Sequence, residues 1–373
     1  MAAGRSNGGD LVSEVRGHLP RAPRLTAEER AVSRLRNPFV LLHHRIARSS
    51  TVDLGSSLSK KKGTVKLALV SMPDLGLDAV DRDPSRQADI VEHWSARKKD
   101  LAAVDRDACR RVLVAMSPAF SETYAATYME AVRCAAIDHR ADIICFNELG
   151  FPTLGQQPRA DALAFTEQHV QPRDDRDRGR LIVCGSFHDR RTLYNTGGLF
   201  FPGCTSQHGI PFHKQVSAVS VNERISLPPE RVTPCVGVFG LRVAVLICLD
   251  LADFASVAAV VKAADWIDLV LVPCYTKWTD QLEKIAEAMS RAMPGMVAMV
   301  NYQRTGHEVV VSKFGEALSA RCPRPQPSGG AVIHTLMIRV DEFRNRKLQK
   351  QVDMTVSDRM EWLFGRLSRP ARL

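Results

Sequence analysis

The chain has no C-x-x-C pair and no regular ladder of cysteine spacings. Its nine cysteines, an odd number scattered from Cys109 to Cys322, argue against a disulfide or zinc framework and for free thiols in a reducing compartment, so a cytoplasmic location and no bound metal are expected. Also missing is the positive cap, apolar stretch and small-residue cleavage site of a secretory signal, because the chain opens on Gly, Ser, Asn and Asp; export is not expected. No apolar run is clean enough to sit in hydrocarbon. The longest, Leu241 to Val272, is interrupted by Asp250, Asp253, Lys262, Asp265 and Asp268, and it reads as strand, helix, strand with no membrane partner. No repeat of fixed period is visible, which sets solenoids and propellers aside.

What is there fits a globular protein. The 373 residues are 45% hydrophobic and 25% charged, enough to bury one large core or two modest ones. The formal charge of +10 is unevenly spread: residues 1–63 hold twelve Lys/Arg, among them Arg16, Arg21, Arg24 and Lys60 to Lys62, against five acids. That segment is Ser-rich from Ser49 to Ser59 and reads as a basic extension outside the main fold. Within it Thr26-Ala27-Glu28-Glu29 has the form of a capping box, and Phe39 to Leu42 is an apolar patch for docking on the main domain or on a partner. A basic extension also admits a second class of function: a binding or assembly module that grips nucleic acid or a partner protein through residues 1–63.

At Thr64 the composition changes. Thr64 to Ser71 reads as a buried first strand ending before Pro73, and a domain is expected over 64–346. Residues 74–117 are polar, with helical runs over Asp89 to Lys99 and Leu101 to Met116, and form an insertion after that strand. Then come a helix over Ser121 to His139, strands at Ala141 to Phe146, Leu181 to Phe187, Asn195 to Phe201 and Leu241 to Ile247, and a helix over Ser256 to Ala264. A strand at Leu269 to Pro273, a helix at Asp280 to Met293 and a strand at Val297 to Asn301 follow. Alternating strands and helices imply an α/β protein. Residues 347–373 form a tail in which Met360, Trp362, Leu363 and Phe364 fall at helical spacing, suited to packing on the domain or across a subunit boundary.

Reactive side chains stand beside three of these apolar segments, where layered α/β folds place catalytic groups. Glu148 follows Ile143 to Asn147, Lys214 follows Gly209 to His213, and Cys248 follows Val243 to Ile247. Singly, each has a bland reading: a helix cap or ion-pair partner, a surface lysine, a small buried hydrophobe. Together, with Lys214 66 residues after Glu148 and Cys248 34 after Lys214, they resemble the Glu-Lys-Cys triad of the nitrilase superfamily of carbon–nitrogen hydrolases. Flanking segments resemble that family too: Tyr194-Asn195-Thr196, the turn Cys248-Leu249-Asp250-Leu251, Arg291-Ala292 through Asn301, a last hairpin around Gly315 and a closing strand over Arg339 to Arg346.

The resemblance implies a four-layer α-β-β-α sandwich, no cofactor, a homodimer or larger homo-oligomer, and a small-molecule amide substrate. It implies that Cys248 attacks the substrate carbon, that Glu148 moves protons, and that Lys214 with the backbone N–H of Leu249 stabilises the oxyanion. Glu223 matches a second glutamate beside the lysine, although an ion pair with Arg224 would also account for it. Asp250, Tyr194 and Asn195 would support the site. Leu249-Asp250 stands where nitrile-hydrolysing members have Trp-Glu, so the resemblance leans to amides, ω-amides or N-carbamoyl compounds. A papain-like thiol hydrolase would need a histidine base. His188, His208, His213 and His307 are available for it, but the sequence has no Cys-centred strand-to-helix signature near the N-terminus.

Overall fold

The structure, a computed structural model, describes residues 63–75, 116, 118–152, 156–173, 177, 179–189, 192, 194–202, 209–218, 223, 225, 233–262, 267–277, 279–303, 308–318, 326–328 and 330–350. The basic extension with its capping box and apolar patch, the two helical runs of the insertion up to residue 115 and the tail helix lie outside them. Also outside are Arg224, His208 and His307.

In chain order the elements are β1 (Thr64–Ser71), α1 (Pro118–Arg133), β2 (Ile143–Phe146), α2 (Gln156–Val170), β3 (Leu181–His188), β4 (Asn195–Phe200), β5 (Ile210–His213), β6 (Cys235–Val238) and β7 (Leu241–Val245). They continue with α3 (Phe254–Lys262), β8 (Leu269–Pro273), α4 (Thr279–Ala292), β9 (Met296–Val300), β10 (Val309–Lys313), β11 (Glu316–Ala317), β12 (Gln326–Ser328), β13 (Ala331–Arg339) and α5 (Val340–Lys350). Two sheets result, ordered β12-β13-β1-β2-β3-β4-β5 and β11-β10-β9-β8-β7-β6. Each has three parallel strands at its centre, β1-β2-β3 and β7-β8-β9, with antiparallel neighbours outside.

The two-residue period of a strand sorts the first sheet's side chains between layers. Val65, Leu67, Leu69, Ile143, Cys145, Leu181 and Val183 join the side chains of the second sheet in one core. Their alternates Ala68, Val70, Ile144, Phe146, Ile182 and Cys184 pack with Tyr124, Tyr128, Ala131 and Val132 of α1 in another. Ser121, Tyr124, Ala125, Tyr128, Ala131 and Val132 are buried at helical spacing, so α1 lies along the outer face. Tyr128 anchors it, with ring centroids 4.4 Å from Phe146 and 5.1 Å from Phe151, and its hydroxyl meets Thr166 Oγ1 of α2 at 3.1 Å. On the second sheet α4 buries Leu282, Ala286, Met289 and Ser290 along one stripe. The layers are therefore α-β-β-α.

The closing strand expected over Arg339 to Arg346 is displaced. Strand β13 occupies Ala331–Arg339 and pairs antiparallel with β1, and the chain turns helical at Val340. Asp341 and Glu342 fall in the first helical turn, where acids favour the N-terminal dipole, while Val340 and Phe343 are buried one turn apart. The hairpin expected around Gly315 is present, β10 pairing antiparallel with β11; the sequence reading passed over α2, β5 and β6, all short or weakly patterned.

Gly197 in β4 lies against β3 and β5, and a Cβ there would collide with the Phe212 ring and the Gly185 carbonyl oxygen. Gly237 in β6 has nothing within 4 Å of its own would-be Cβ. Gly197→Ala is therefore expected to cost about 1–3 kcal/mol by overpacking. Gly237→Ala should fall within about 0.5 kcal/mol of wild type. Urea denaturation of both variants checks the contrast.

Candidate active site

Both sheets end their parallel strands at one place, and the residues just past those ends converge there. Glu148 stands two positions after β2, Lys214 directly after β5, Cys248 three after β7, and Tyr275 two after β8. All but Tyr275 are buried, with 3% of Glu148, 2% of Lys214 and 2% of Cys248 exposed, so their charges must be matched locally. Lys214 Nζ donates to Glu148 Oε1 at 2.6 Å and to Glu223 Oε2 at 2.7 Å. Asn195 Nδ2 bridges the same two carboxylates, 2.8 Å from Glu148 Oε1 and 3.1 Å from Glu223 Oε1. The second oxygen of Glu148 accepts the backbone N–H of Tyr275 at 3.0 Å, a link from one sheet to the other.

Glu223 is held from three further sides. His188 Nε2 lies 2.9 Å from its Oε1, the backbone N–H of Ala218 donates to Oε2 at 2.7 Å, and its own N–H donates to the Ala218 carbonyl at 3.1 Å. Burial alone would push the Lys214 ammonium's pKa down, but the charges of Glu148 and then Glu223, with the Cys248 thiol, hold it well above the ordinary lysine value. Burial likewise works against the Glu223 carboxylate, and Lys214 and His188 overcome it, so its pKa lies below the usual range. The ion pair with Arg224 is not needed to account for Glu223, whose ammonium partner is Lys214.

Cys248 opens a short 3-10 turn, Cys248–Leu251, and adopts φ 47°, a left-handed conformation that costs a non-glycine residue about 1–3 kcal/mol. Asp250 holds it there. Its Oδ2 accepts the N–H of Ile247 at 3.2 Å, and its Oδ1 accepts those of Gln215 and Val216 at 2.8 and 2.9 Å. One carboxyl thus ties the cysteine turn to the loop that carries Lys214. Burial pushes its pKa up to about 8, against the pull of Lys214 and of its backbone donors. The Cys248 thiol is raised above its ordinary value, first by a hydrogen bond with the Cys274 side chain, then by burial and the Glu148 charge, while Lys214 pulls the other way.

The turn at Glu148 is built in the same manner. Leu149 takes φ 57° and donates its N–H to Ser186 Oγ at 3.2 Å. Asn147 Nδ2 donates to the Glu148 carbonyl at 2.7 Å, and Asn147 Oδ1 accepts from Met72 N at 2.8 Å.

Glu148, Lys214, Cys248, Glu223, Asn195 and Asp250 therefore meet, and Leu249 sits in the cysteine turn with its side chain packed on the core. The Tyr194 ring packs on His213, 5.0 Å between centroids. Sequence reasoning missed His188, which it weighed only as a papain-like base, and also Cys274 and the backbone of Tyr275. His188 ends an apolar strand as Glu148 does, so the same rule applied to β3 would have found it. The Tyr275 hydroxyl donates to Asp74, where the insertion begins. Among the described residues no group of three or more His, Cys, Asp or Glu could hold a metal ion, and no helix is long and apolar enough to cross a membrane.

Fold and site together define a four-layer α-β-β-α protein with a buried carboxylate–ammonium–thiol cluster at its strand ends. No family model and no curated protein matches the chain. Among solved structures it is similar to glutamine-dependent NAD+ synthetase from Acinetobacter baumannii, at 14% identity and TM-score 0.47 over 75% of this chain; the match spans less than half of that protein, 46%. It is also similar to an amidase from Nesterenkonia sp., at 16% identity and TM-score 0.43 over 79% of this chain and 97% of that one. A third similar structure is Saccharomyces cerevisiae Nit3, described as a member of branch 10 of the nitrilase superfamily, at 12% identity and TM-score 0.49 over 80% and 98% of the two chains.

Two expectations follow from the geometry. In Asp250→Asn one oxygen must be replaced by an NH2 group that faces an N–H donor, a loss of about 1–3 kcal/mol by chemical denaturation. Because the Glu223 pKa is lowered on folding, its stabilisation is complete above the ordinary value of 4.5 and is lost as pH falls through the lower folded value. Glu223→Gln should lower Tm at neutral pH, by breaking a buried ion pair, and also make the acid-side decline of Tm shallower than in wild type.

Proposed function

We propose that the protein is a thiol-dependent hydrolase of a non-peptide carbon–nitrogen bond, acting on a small amide, ω-amide or N-carbamoyl substrate. The observation that carries this reading is a buried ammonium clamped between two carboxylates, with a strained, buried cysteine within reach of its charge. A cluster made only for stability has no use for a thiol in a left-handed turn.

The chemistry runs as follows. With the thiol's pKa raised, a substrate carbonyl entering the site is attacked by Sγ as Glu148 takes the thiol proton. The negative oxygen that forms is met by Lys214 and by the N–H of Leu249. An ammonium has three N–H groups, and two of those on Lys214 go to Glu148 and Glu223, so the third is assigned to the oxyanion. Collapse expels the amine, which leaves with the proton from Glu148, and a thioester remains on Cys248. Water then attacks, giving its proton to Glu148, and the acid departs as the thiol is restored. Glu223, His188 and Asn195 hold Lys214 and Glu148 at fixed separation through both steps. Leu249-Asp250, standing where nitrile-hydrolysing members of the family it resembles have Trp-Glu, favours amides over nitriles.

Labelling by iodoacetamide should modify Cys248 ahead of the other eight cysteines, and Glu148→Gln should slow that labelling by about 10²–10⁴-fold. Intact-mass measurement with a panel of short amides, ω-amides and N-carbamoyl compounds should trap an acyl adduct that Cys248→Ala lacks. A chain whose Cys248 reacts no faster than its other thiols, and takes no acyl group from any of them, rules the reading out.

A further inference from the structure

The Asn195 side chain has a second end that the reaction above does not use. Strand β4 lies between β3 and β5, and Asn195 is paired with His188 on one side. On the other its carbonyl accepts the N–H of Lys214 at 2.9 Å, next to the Thr196–His213 pair. Residues directly opposite in antiparallel strands project to the same face, so His188, Asn195 and Lys214 form one row across three strands. That row faces the two carboxylates: His188 bonds Glu223, while Asn195 and Lys214 each bond both Glu148 and Glu223.

The carboxylates also settle which way the Asn195 amide points. Their oxygens accept hydrogen bonds, and Glu148 and Glu223 both lie within reach of one end, at 2.8 and 3.1 Å, so that end is the NH2 group. The other end, Oδ1, accepts no hydrogen bond among the described residues, although Asn195 is fully buried. Two of the three N–H groups of its cross-strand neighbour Lys214 go to the carboxylates. A buried acceptor without a donor is costly, and in a site otherwise so fully bonded it calls for an explanation. Glu148, Lys214 and Cys248 are nearly as enclosed as Asn195, so whatever admits a substrate to the thiol brings it into the same enclosed space.

We propose that Asn195 Oδ1 accepts a hydrogen bond from the substrate's scissile nitrogen, which makes Asn195 the residue that selects substrates bearing an N–H on that atom. The inference rests on the hydrolytic reading above and adds what holds the leaving group. A carboxamide presents an acceptor oxygen and a donor nitrogen on one planar carbon. Lys214 and the N–H of Leu249 are the donors assigned to the oxygen, and Asn195 supplies the complementary acceptor for the nitrogen. The other end of the same side chain bonds Glu148, so the nitrogen is held next to the carboxyl that must protonate it as it leaves. Primary amides, N-monosubstituted amides and N-carbamoyl compounds meet this requirement. Esters and N,N-dialkyl amides have no hydrogen to give, and a site built to bond an N–H rejects an analogue that lacks it because its own acceptor stays unpaired.

The test measures binding without turnover, using the full chain with Cys248→Ala and ligand-observed NMR titration. Each amide is set beside the methyl ketone of the same shape, in which CH3 replaces NH2 and the oxygen is kept: propionamide with butanone, butyramide with 2-pentanone, and glutaramate with 5-oxohexanoate. With Asn195 intact the amide should bind about 10-fold or more tightly than its ketone. Adding Asn195→Ser or Asn195→Ala should abolish that preference while leaving ketone binding within about 2-fold, which a loss of general order in the site would not do. Should both double variants fail to fold, the comparison with Asn195 intact still decides, since ketones that bind as tightly as amides overturn the proposal. A preference that survives both substitutions also overturns it, because Oδ1 then serves a fixed water or nothing and another group reads the N–H. Wild-type hydrolysis of the same amides separates the two readings: cleavage without an amide-over-ketone preference keeps the hydrolase and removes this inference. Asn195-dependent amide binding with no acyl transfer to Cys248 in wild type keeps the acceptor and removes the hydrolase.

Discussion

The arrangement depends on one buried ammonium between two carboxylates. Lys214 cannot lose its proton without stranding Glu148 and Glu223 next to each other, and neither acid can be removed without leaving a buried charge unmatched. That mutual dependence fixes three strand ends at once: β2 through Glu148, β5 through Lys214, and β3 through the His188 contact to Glu223. The Cys248 proton is retained at rest because a hydrogen bond with the Cys274 side chain, burial and the Glu148 charge raise the thiol's pKa, so an adjacent base is needed to remove it. In the proposed reaction the developing oxyanion would also meet the Glu148 and Glu223 charges, so the ammonium must be aimed at it rather than merely near it.

Rigid support comes from hydrogen bonds that cross between elements. Asp250 joins the cysteine turn to the lysine loop, the N–H of Tyr275 joins the second sheet to Glu148, and Asn147 joins the end of β1 to the glutamate turn. Two residues in the left-handed region, Leu149 and Cys248, sit directly inside these supports. Their strain is held by contacts on both sides, as expected where side-chain aim matters more than local comfort.

Much of this was legible in residue order. The alternation in Thr64 to Ser71 and the apolar runs at Ile143, Leu241, Leu269 and Met296 marked the parallel strands, because buried central strands have no polar face to disguise them. Glu148, Lys214 and Cys248 stood out as polar groups ending apolar segments, and their joint spacing carried more information than any one of them. Elsewhere the signal was weak. Strand β5 is four residues with a proline, α2 has little apolar periodicity, and the stretch after Arg339 looked extended until its acidic first turn and the buried Val340 and Phe343 placed it in a helix.

By itself the amino-acid order determined the layered α/β class, the strand ends and the three reactive residue types, because period, burial and chemistry are local properties of a chain. Tertiary structure alone decided that His188 and the backbone N–H of Tyr275 join the cluster, the first on Glu223 and the second on Glu148. Those are questions of which face of one strand meets which end of another. Sheet order and register settle them, and neither is written in any single segment.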